Sequence, residues 1–379
     1  MSVAFLDLRA QDPEVGTALR AAVAEVLATQ QCVLGPHVER FERAMAAYCG
    51  VPHAIGVGSG TDALVLALAA LGVRPGDRVL TTPFTFFATA STIARVGAVP
   101  VLADVDPATL NLDPAAAAEV LRRVPGIVGI VPVHLFGRMA DMEQIGALAA
   151  AHGCWVLEDA AQAVGARRDG RVAGTIGRAG ALSFYPTKNL GGVGDGGMVL
   201  TADDALAAAV RRDRNQGLVA PYVHEALGAC SRLDALQAAA LGAKLPHLDG
   251  WNARRRAVAG RYADGFRARG LAGRPGAPLV LPEPDGDAHV FHVYCIRTPR
   301  RDALQAHLHA AGVATQVYYR VPLHRQRPLV EHVLVPCGVP EAERAADEVL
   351  ALPIYPQLPA DDVARVVDAV AAFFGADCG

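Results

Sequence analysis

Lys188 stands in "SFYPTKNLGGVGDGGMVLT" (183–201), between an aromatic strand end and a glycine-rich loop, with no charged residue after it until Asp195. Most lysines keep their ammonium in solvent among other charges. One desolvated among apolar and glycine neighbours loses basicity and becomes a nucleophilic amine, whereas a phosphate-binding or surface lysine is the alternative. In "VLEDAAQAVGA" (156–166) an apolar run ends in Glu158-Asp159 and enters a turn of small residues. Ligands of parallel sheets bind beyond the carboxyl ends of strands, so one of these acids is expected to point into a site, unless both merely cap the turn. Gln162, three residues after Asp159, is expected to face the same cavity. "GVGSGTDALVLAL" (56–68) opens a helix directly from a Gly/Ser turn. The free N–H groups and dipole of such a helix start suit a phosphate, and an ordinary Ser/Thr cap gives the same pattern. Phe86 in "TTPFTFFATAS" (81–91) follows a strand and opens a helix, as a core aromatic or as a plate for a planar ring.

The elements that must position these residues alternate. Short apolar runs at 78–83, 99–105, 126–137, 155–160, 181–186 and 197–201 read as strands, and helical periods at 61–72, 86–97, 114–124 and 142–153 lie between most of them. That pattern predicts an α/β fold with a mainly parallel sheet covered on both faces. No helix fits between 181–186 and 197–201, so one strand there is expected to run antiparallel. A long helical stretch (231–268), nicked at Pro246, leads into a Pro/Gly-rich segment and a smaller α+β unit that includes a strand at 289–297. Domains are expected at 1–245 and 246–379, with the N-terminal segment packing on the smaller one.

Taken together, a phosphate cradle, an aromatic plate, an acid and an isolated lysine are the four parts that pyridoxal phosphate requires. The lysine holds its aldehyde, and the acid keeps the pyridine nitrogen protonated. Two other nucleotide readings are dismissed: the glycines of the 56–60 turn lack G-x-G-x-x-G spacing, and no G-x-x-x-x-G-K-[ST] occurs anywhere. With 35 basic and 38 acidic residues the net charge of −3 offers no footprint for nucleic acid or an anionic membrane. The start has no basic region of a signal peptide, and no apolar run is long enough to cross a bilayer. Cysteines at 32, 49, 154, 230, 295, 337 and 378 form no CxxC pair or metal-spaced cluster, so no metal is expected and a reduced, cytoplasmic setting is.

The combination "GSGTDAL", "FTFFATA", "EDAAQA" and "SFYPTKNLGGVGDGGM" resembles the DegT/DnrJ/EryC1/StrS family of sugar aminotransferases, of aspartate-aminotransferase fold type I. The likeness extends to "FLDLRAQ" (5–11), "VLGPHVERFERAMAAYCGV" (33–51), "PVHLFGRMADM" (132–142) and "PLHRQ" (322–326). The resemblance implies a large domain with a seven-stranded, mainly parallel sheet plus a small C-terminal domain. It assigns Lys188 as the Schiff-base lysine and proton carrier, and Asp159 as the partner of the pyridine nitrogen. It places Gln162 near the ring hydroxyl, Phe86 on the ring, and Gly60, Thr61 and Ser183 on the phosphate. It suggests Tyr185, Arg232, Tyr318, Tyr319 and His324 as substrate contacts, and glycines after Lys188 that leave room for a nucleotide-sugar.

By the same resemblance, the protein is a homodimer with shared sites, transferring an amino group from L-glutamate through the pyridoxamine form to a nucleotide-linked keto-sugar. "KNLGGVGDGG" is closer to the 3-keto than to the 4-keto form of the family. The family's dehydratases carry histidine where Lys188 stands; a silent regulatory member is the other alternative, and Lys188, Asp159 and Phe86 all argue against it. Two places depart from the family pattern. Cys230 in "GACSRLD" (228–234) replaces the Asn that a partner chain usually sends to the phosphate, and "VYYRVPLH" (317–324) carries Tyr318 and Arg320 in place of His and Pro.

Overall fold

The computed structural model describes residues 2–10 and 12–375; Met1, Gln11 and 376–379, Cys378 among them, lie outside the described residues. Helices α1 (Pro13–Thr29) and α2 (Pro36–Cys49) lead into the central sheet. Its strands are β1 (His53–Val57), β2 (Arg78–Thr81), β3 (Val99–Leu102), β4 (Ile127–Ile130), β5 (Trp155–Asp159), β6 (Ala179–Ser183) and β7 (Gly197–Thr201). Between them run α3 (Gly60–Ala70), α4 (Ala88–Arg95), α5 (Pro114–Arg123) and α6 (Met142–Ala151), and α7 (Asp204–Asp213) follows β7. The sheet order is β1-β7-β6-β5-β4-β2-β3. Only β7 runs against the rest, antiparallel to both β1 and β6, as the short 181–197 connection requires.

Side chains alternate across the sheet with period two. Ile55, Leu157, Ala181 and Val199 join the layer under α3 and α7, while Ala54, Leu182, Met198 and Leu200 face α2 and α8 (Ala235–Lys244). Burial on both faces explains the near-continuous apolar strands. Helix starts are written locally: Asp113, Asp141 and Asp203 each cap the first turn of α5, α6 and α7 through a side-chain oxygen.

Pro246 sits in a single 3-10 turn (Leu245–His247) that separates α8 from α9 (Leu248–Ala268), since it lacks the N–H a continuous helix needs. Helix α9 spans two cores. Leu248 packs with Leu233, Leu241 and Val290 beneath the sheet; Val258, Tyr262 and Phe266 pack with Tyr294, Ile296, Leu350 and Leu352 in a second core. That second core takes in β8 (Tyr294–Arg297), paired antiparallel with β9 (Val349–Leu352), and α10 (Arg301–Ala310) and α12 (Ala360–Gly375), while α11 (Pro340–Glu348) packs against Phe84, Val133 and Leu135. Val3 is buried in the second core and bonds through its N–H to Gly312 O.

Two expected strands are corrected, and one strand was not expected. The strand at 126–137 stops at Ile130, and 135–137 is a 3-10 turn with Phe136 at positive φ. The strand at 289–297 begins only at Tyr294, because His289 and Val290 are drawn to the 136–139 loop, where Val290 N–H bonds Gly137 O. The edge strand His53–Val57 has no counterpart among the six apolar runs, its alternation being diluted by Gly56.

Candidate active site

The carboxyl end of β5 separates its two acids by the strand's own alternation. Glu158 is fully buried and turned from the site. It accepts the N–H groups of Gly174 (2.9 Å), Ile176 (2.5 Å) and Gly177 (2.6 Å) and lies 2.8 Å from His134 Nε2. His134 Nδ1 accepts the Ala140 N–H, which leaves its Nε2–H to donate to Glu158. Burial alone would raise the Glu158 carboxyl, but the hydrogen bonds from His134, Gly177 and Gly174 outweigh it and hold the group below its ordinary value. Asp159 takes the opposite environment. Its Oδ2 accepts the Thr89 hydroxyl at 2.7 Å and its Oδ1 accepts the Ala161 N–H at 3.2 Å. Burial dominates and raises its pKa.

Lys188 lies in the turn after β6, its N–H bonded to Tyr185 O. It is half-buried at the edge of a cleft, yet closely enough packed that desolvation pushes its amine down to about 8, against the pull of Asp159. The glycines that follow leave no room of the kind expected. A Cβ on Gly191 would stand 2.2 Å from Pro186 O, and those on Gly192 and Gly194 would meet the Gln237 amide at 2.6 and 2.7 Å. They permit a tight turn that seats the lysine on α8.

At the neighbouring strand ends, Ser59 caps α3 by accepting the Asp62 N–H on its Oγ (3.1 Å), and Ala63 N–H reaches Ser59 O. The Gly60 and Thr61 N–H groups fall outside that ladder and point from the helix start. A Cβ on Gly60 would be 2.7 Å from Ser183 Cβ, so only glycine lets this turn approach β6. Across the site Phe86 is 57% exposed, its ring 6.4 Å from that of Tyr319. Gln162 joins the two sides, donating from Nε2 to the Tyr319 hydroxyl (3.0 Å) and accepting the Phe136 N–H on Oε1 (2.6 Å).

The structure thus gathers Asp159, Gln162, Phe86, Tyr319 and Lys188, with Gly60, Thr61 and Ser183 as a cradle. Tyr185 is exposed on the rim, and the Tyr318 ring packs 5.7 Å from Tyr319 and 6.1 Å from Phe5. Two expected contacts point elsewhere within the chain. Arg232 donates to Asn215 Oδ1 and Cys230 Sγ, both at 2.8 Å, and His324 Nε2 lies 3.0 Å from Glu343 Oε1. Arg320 pairs with Asp302 and Gln305 of α10. Ser231 is engaged in its own chain, accepting the Gly58 N–H and donating to Asp62. Thr89 and the His134–Glu158 pair escaped the reading of the sequence. Thr89 lies three residues beyond Phe86, a helical spacing that could have placed its hydroxyl on the same side.

The residues fit pyridoxal phosphate on the structure's own terms: a helix start with spare N–H groups in a cradle that a Cβ would fill, a buried carboxylate facing a cation, and an amine of lowered basicity. Comparison with known proteins agrees. The model of the DegT/DnrJ/EryC1/StrS aminotransferase family matches residues 13–371. A "dTDP-3-amino-3,4,6-trideoxy-alpha-D-glucose transaminase" of Streptomyces venezuelae is 44% identical, over 97% of this chain and 95% of its own. A "Pleiotropic regulatory protein" of Geobacillus stearothermophilus is 47% identical over 99% of both chains. The crystal structure of S. venezuelae DesV in complex with a ketimine intermediate superposes with a TM-score of 0.92 at 43% identity, covering 98% of each chain. The cofactor is pyridoxal phosphate, alternating with its pyridoxamine form. A match across nearly the whole chain, on a site built this way, makes the protein a member of the DegT/DnrJ/EryC1/StrS aminotransferase family.

Proposed function

We propose that the protein transfers an amino group from L-glutamate to the 3-keto position of a nucleotide-linked sugar, working as a homodimer. The observation that carries the reading is Lys188, an amine of lowered basicity facing Asp159 at adjacent strand ends. Bound there, the cofactor supplies an electron sink for ionising a C–H bond next to nitrogen. Lys188 Nζ, neutral in part near pH 7, holds the cofactor and accepts and returns the proton. Asp159 would pair with the ring nitrogen, its carboxylate steadied by Thr89 and Ala161. Gln162 and Phe86 orient the ring, and Gly60, Thr61 and Ser183 hold the phosphate.

The choice of the 3-keto position is supported by relatives whose names place the new amine at C3, among them the S. venezuelae transaminase. Tyr185, Tyr318 and Tyr319 are proposed to contact the sugar nucleotide; Arg232 and His324, engaged by Asn215 and Glu343, are not. The dimer is supported by the hairpin of Leu218–Ala220 and Val223–His224, where Tyr222 and nearby Leu227 are almost fully exposed and await a second copy.

The test is the visible absorption of the purified protein before and after L-glutamate. A cofactor band absent in Lys188→Ala, bleached by glutamate and restored by a 3-keto nucleotide-sugar supports the reading. A band that glutamate and other amino acids leave unchanged would overturn it in favour of a regulatory role, the name one relative carries.

A further inference from the structure

Asn189 follows Lys188 directly, and its side chain is buried, as is that of Asn252 on α9. A buried amide is costly unless its donors and its oxygen are taken up. Asn189 Nδ2 donates to Asn252 Oδ1 at 2.7 Å and to Val290 O at 3.1 Å. Asn252 Nδ2 in turn donates to Val164 O at 3.1 Å, in the segment that leaves β5 after Asp159 and Gln162. Gly165, at positive φ, leaves space for that contact, since a Cβ there would stand 2.7 Å from Asn252 Nδ2. Carbonyl oxygens accept and never donate, so Val164 and Val290 settle which way both amides point. Asn189 Oδ1 therefore faces His292 Nδ1, at 3.2 Å, and the imidazole carries its proton on Nδ1. Burial, with the charges of Lys188 and Arg255, keeps that ring neutral. One side chain thus joins the Lys188 turn, α9, the 290–292 approach to β8 and, through Asn252, the exit of β5.

We propose that Asn189 is a positioning residue for Lys188: its amide clamps the turn that carries the lysine to α9 and to His292, and so fixes the direction in which the amine leaves the turn. The inference rests on Lys188 as the amine that holds the cofactor. The Lys188 N–H bonds Tyr185 O, which closes the turn but leaves it able to pivot about the end of β6. Asn189 removes the pivot, because its amide is one peptide unit from the lysine Cα and its partners belong to a long helix and to the junction of the two cores. The lysine must keep its amine toward Asp159 and away from bulk water, and an angular error at Cα grows along four methylenes. Releasing the clamp lets the amine reach solvent and regain the basicity of an ordinary lysine.

The chain contains two lysines, Lys188 and Lys244, so apoprotein labelled with lysine carrying 13C at Cε gives two resonances, which Lys188→Met assigns. The charged groups about the turn are Asp159 on β5, Lys244 on α8, Arg255 on α9 and Asp7 of the N-terminal segment, and Asn189→Ala alters none of them. The wild-type Lys188 amine should titrate at about 8. In Asn189→Ala it should titrate about one pH unit higher or more while Lys244 keeps its place. Capture of pyridoxal phosphate at about pH 7, followed by absorbance, should then slow about tenfold and recover toward about pH 10. His292→Asn keeps a donor at the place of Nδ1 and should behave as wild type; His292→Phe fills the space without a donor and should copy Asn189→Ala. An unchanged Lys188 titration in Asn189→Ala, or in His292→Phe should the first variant not fold, overturns the proposal. So does a shift of both amines together, which marks general loosening, or a His292→Asn that behaves like His292→Phe, which marks a packing role for the ring. In each of these cases wild-type capture of the cofactor leaves the function standing. Wild-type apoprotein that captures no pyridoxal phosphate removes the function itself, and with it the reaction that Asn189 would serve.

Discussion

The Thr89 hydroxyl donates to Asp159 Oδ2 at 2.7 Å, tying the first turn of α4 to the carboxyl end of β5. Thr85 Oγ1 lies 3.2 Å from Thr89 Oγ1 and extends the chain of hydroxyls. Burial raises the pKa of Asp159 and the Thr89 bond opposes the rise, so Thr89 helps to keep the carboxylate ionised for a cationic partner.

Thr89→Val, nearly isosteric, is therefore expected to raise the dissociation constant for pyridoxal phosphate about tenfold, about 1.4 kcal/mol, the scale of one hydrogen bond to a charged group. Thr89→Ser should restore it. Equilibrium titration of the apoprotein followed by absorbance measures both, and equal affinities in Val and wild type would remove Thr89 from the site.

Lys188 sets a pH dependence with a definite sign. Burial brings its amine to about 8, so the neutral fraction, and the rate of capturing pyridoxal phosphate, should rise about tenfold between pH 7 and 9, whereas a lysine of ordinary pKa would stay on its rising limb beyond pH 10. The folded amine binds fewer protons than the unfolded one between about pH 8 and 10.5, so this group adds apoprotein stability as pH climbs through that window. Lys188→Met should be more stable than wild-type apoprotein at pH 7, by a margin that shrinks toward pH 10. Stopped-flow absorbance and thermal melts across pH read the two effects.

Much of this was legible before the fold was seen. The alternation of apolar runs and helical periods requires a covered parallel sheet, and the short 181–197 link requires the one reversed strand. Lys188, Asp159 and Gln162 stand out because strand ends and glycine turns are where polar residues have no structural excuse. What stayed hidden depends on residues distant in sequence. The Glu158 and Asp159 environments differ because of the 174–177 loop and Thr89, neither of which local spacing connects to β5. The glycines after Lys188 read as open space, and only the position of Pro186 and Gln237 reveals them as close packing. Arg232 and His324 acquire their partners, Asn215 and Glu343, through loops whose paths no periodicity encodes.

Gly60 gives a prediction that separates cradle from core. A methyl group there would lie 2.7 Å from Ser183 Cβ, at backbone angles that alanine itself tolerates in a helix. Gly60→Ala should push the α3 start off β6 and weaken pyridoxal phosphate at least tenfold. Inorganic phosphate, which needs only the cradle, should raise the melting temperature of the wild-type apoprotein and leave that of Gly60→Ala unchanged. Equal protection of both proteins would place the phosphate elsewhere.

Glu158 turns the same strand end into a question of stability. Its carboxylate collects the N–H groups of Gly174, Ile176 and Gly177 together with His134 Nε2–H, and its pKa is held below the ordinary value despite full burial. Glu158→Gln keeps the size but presents an NH2 to groups that are already donors, and should cost about 2–3 kcal/mol. A depressed carboxyl contributes stability that is fully present above its unfolded pKa and is lost as pH falls through the folded value. The gap between wild type and Glu158→Gln should therefore be widest near neutrality and close progressively below about pH 4.3. Amide exchange at Ile176 and Gly177 locates the effect: faster exchange there in Glu158→Gln, with α3 unaffected, assigns the loss to this network, and an unchanged rate would mean the loop is held by something other than the buried carboxylate.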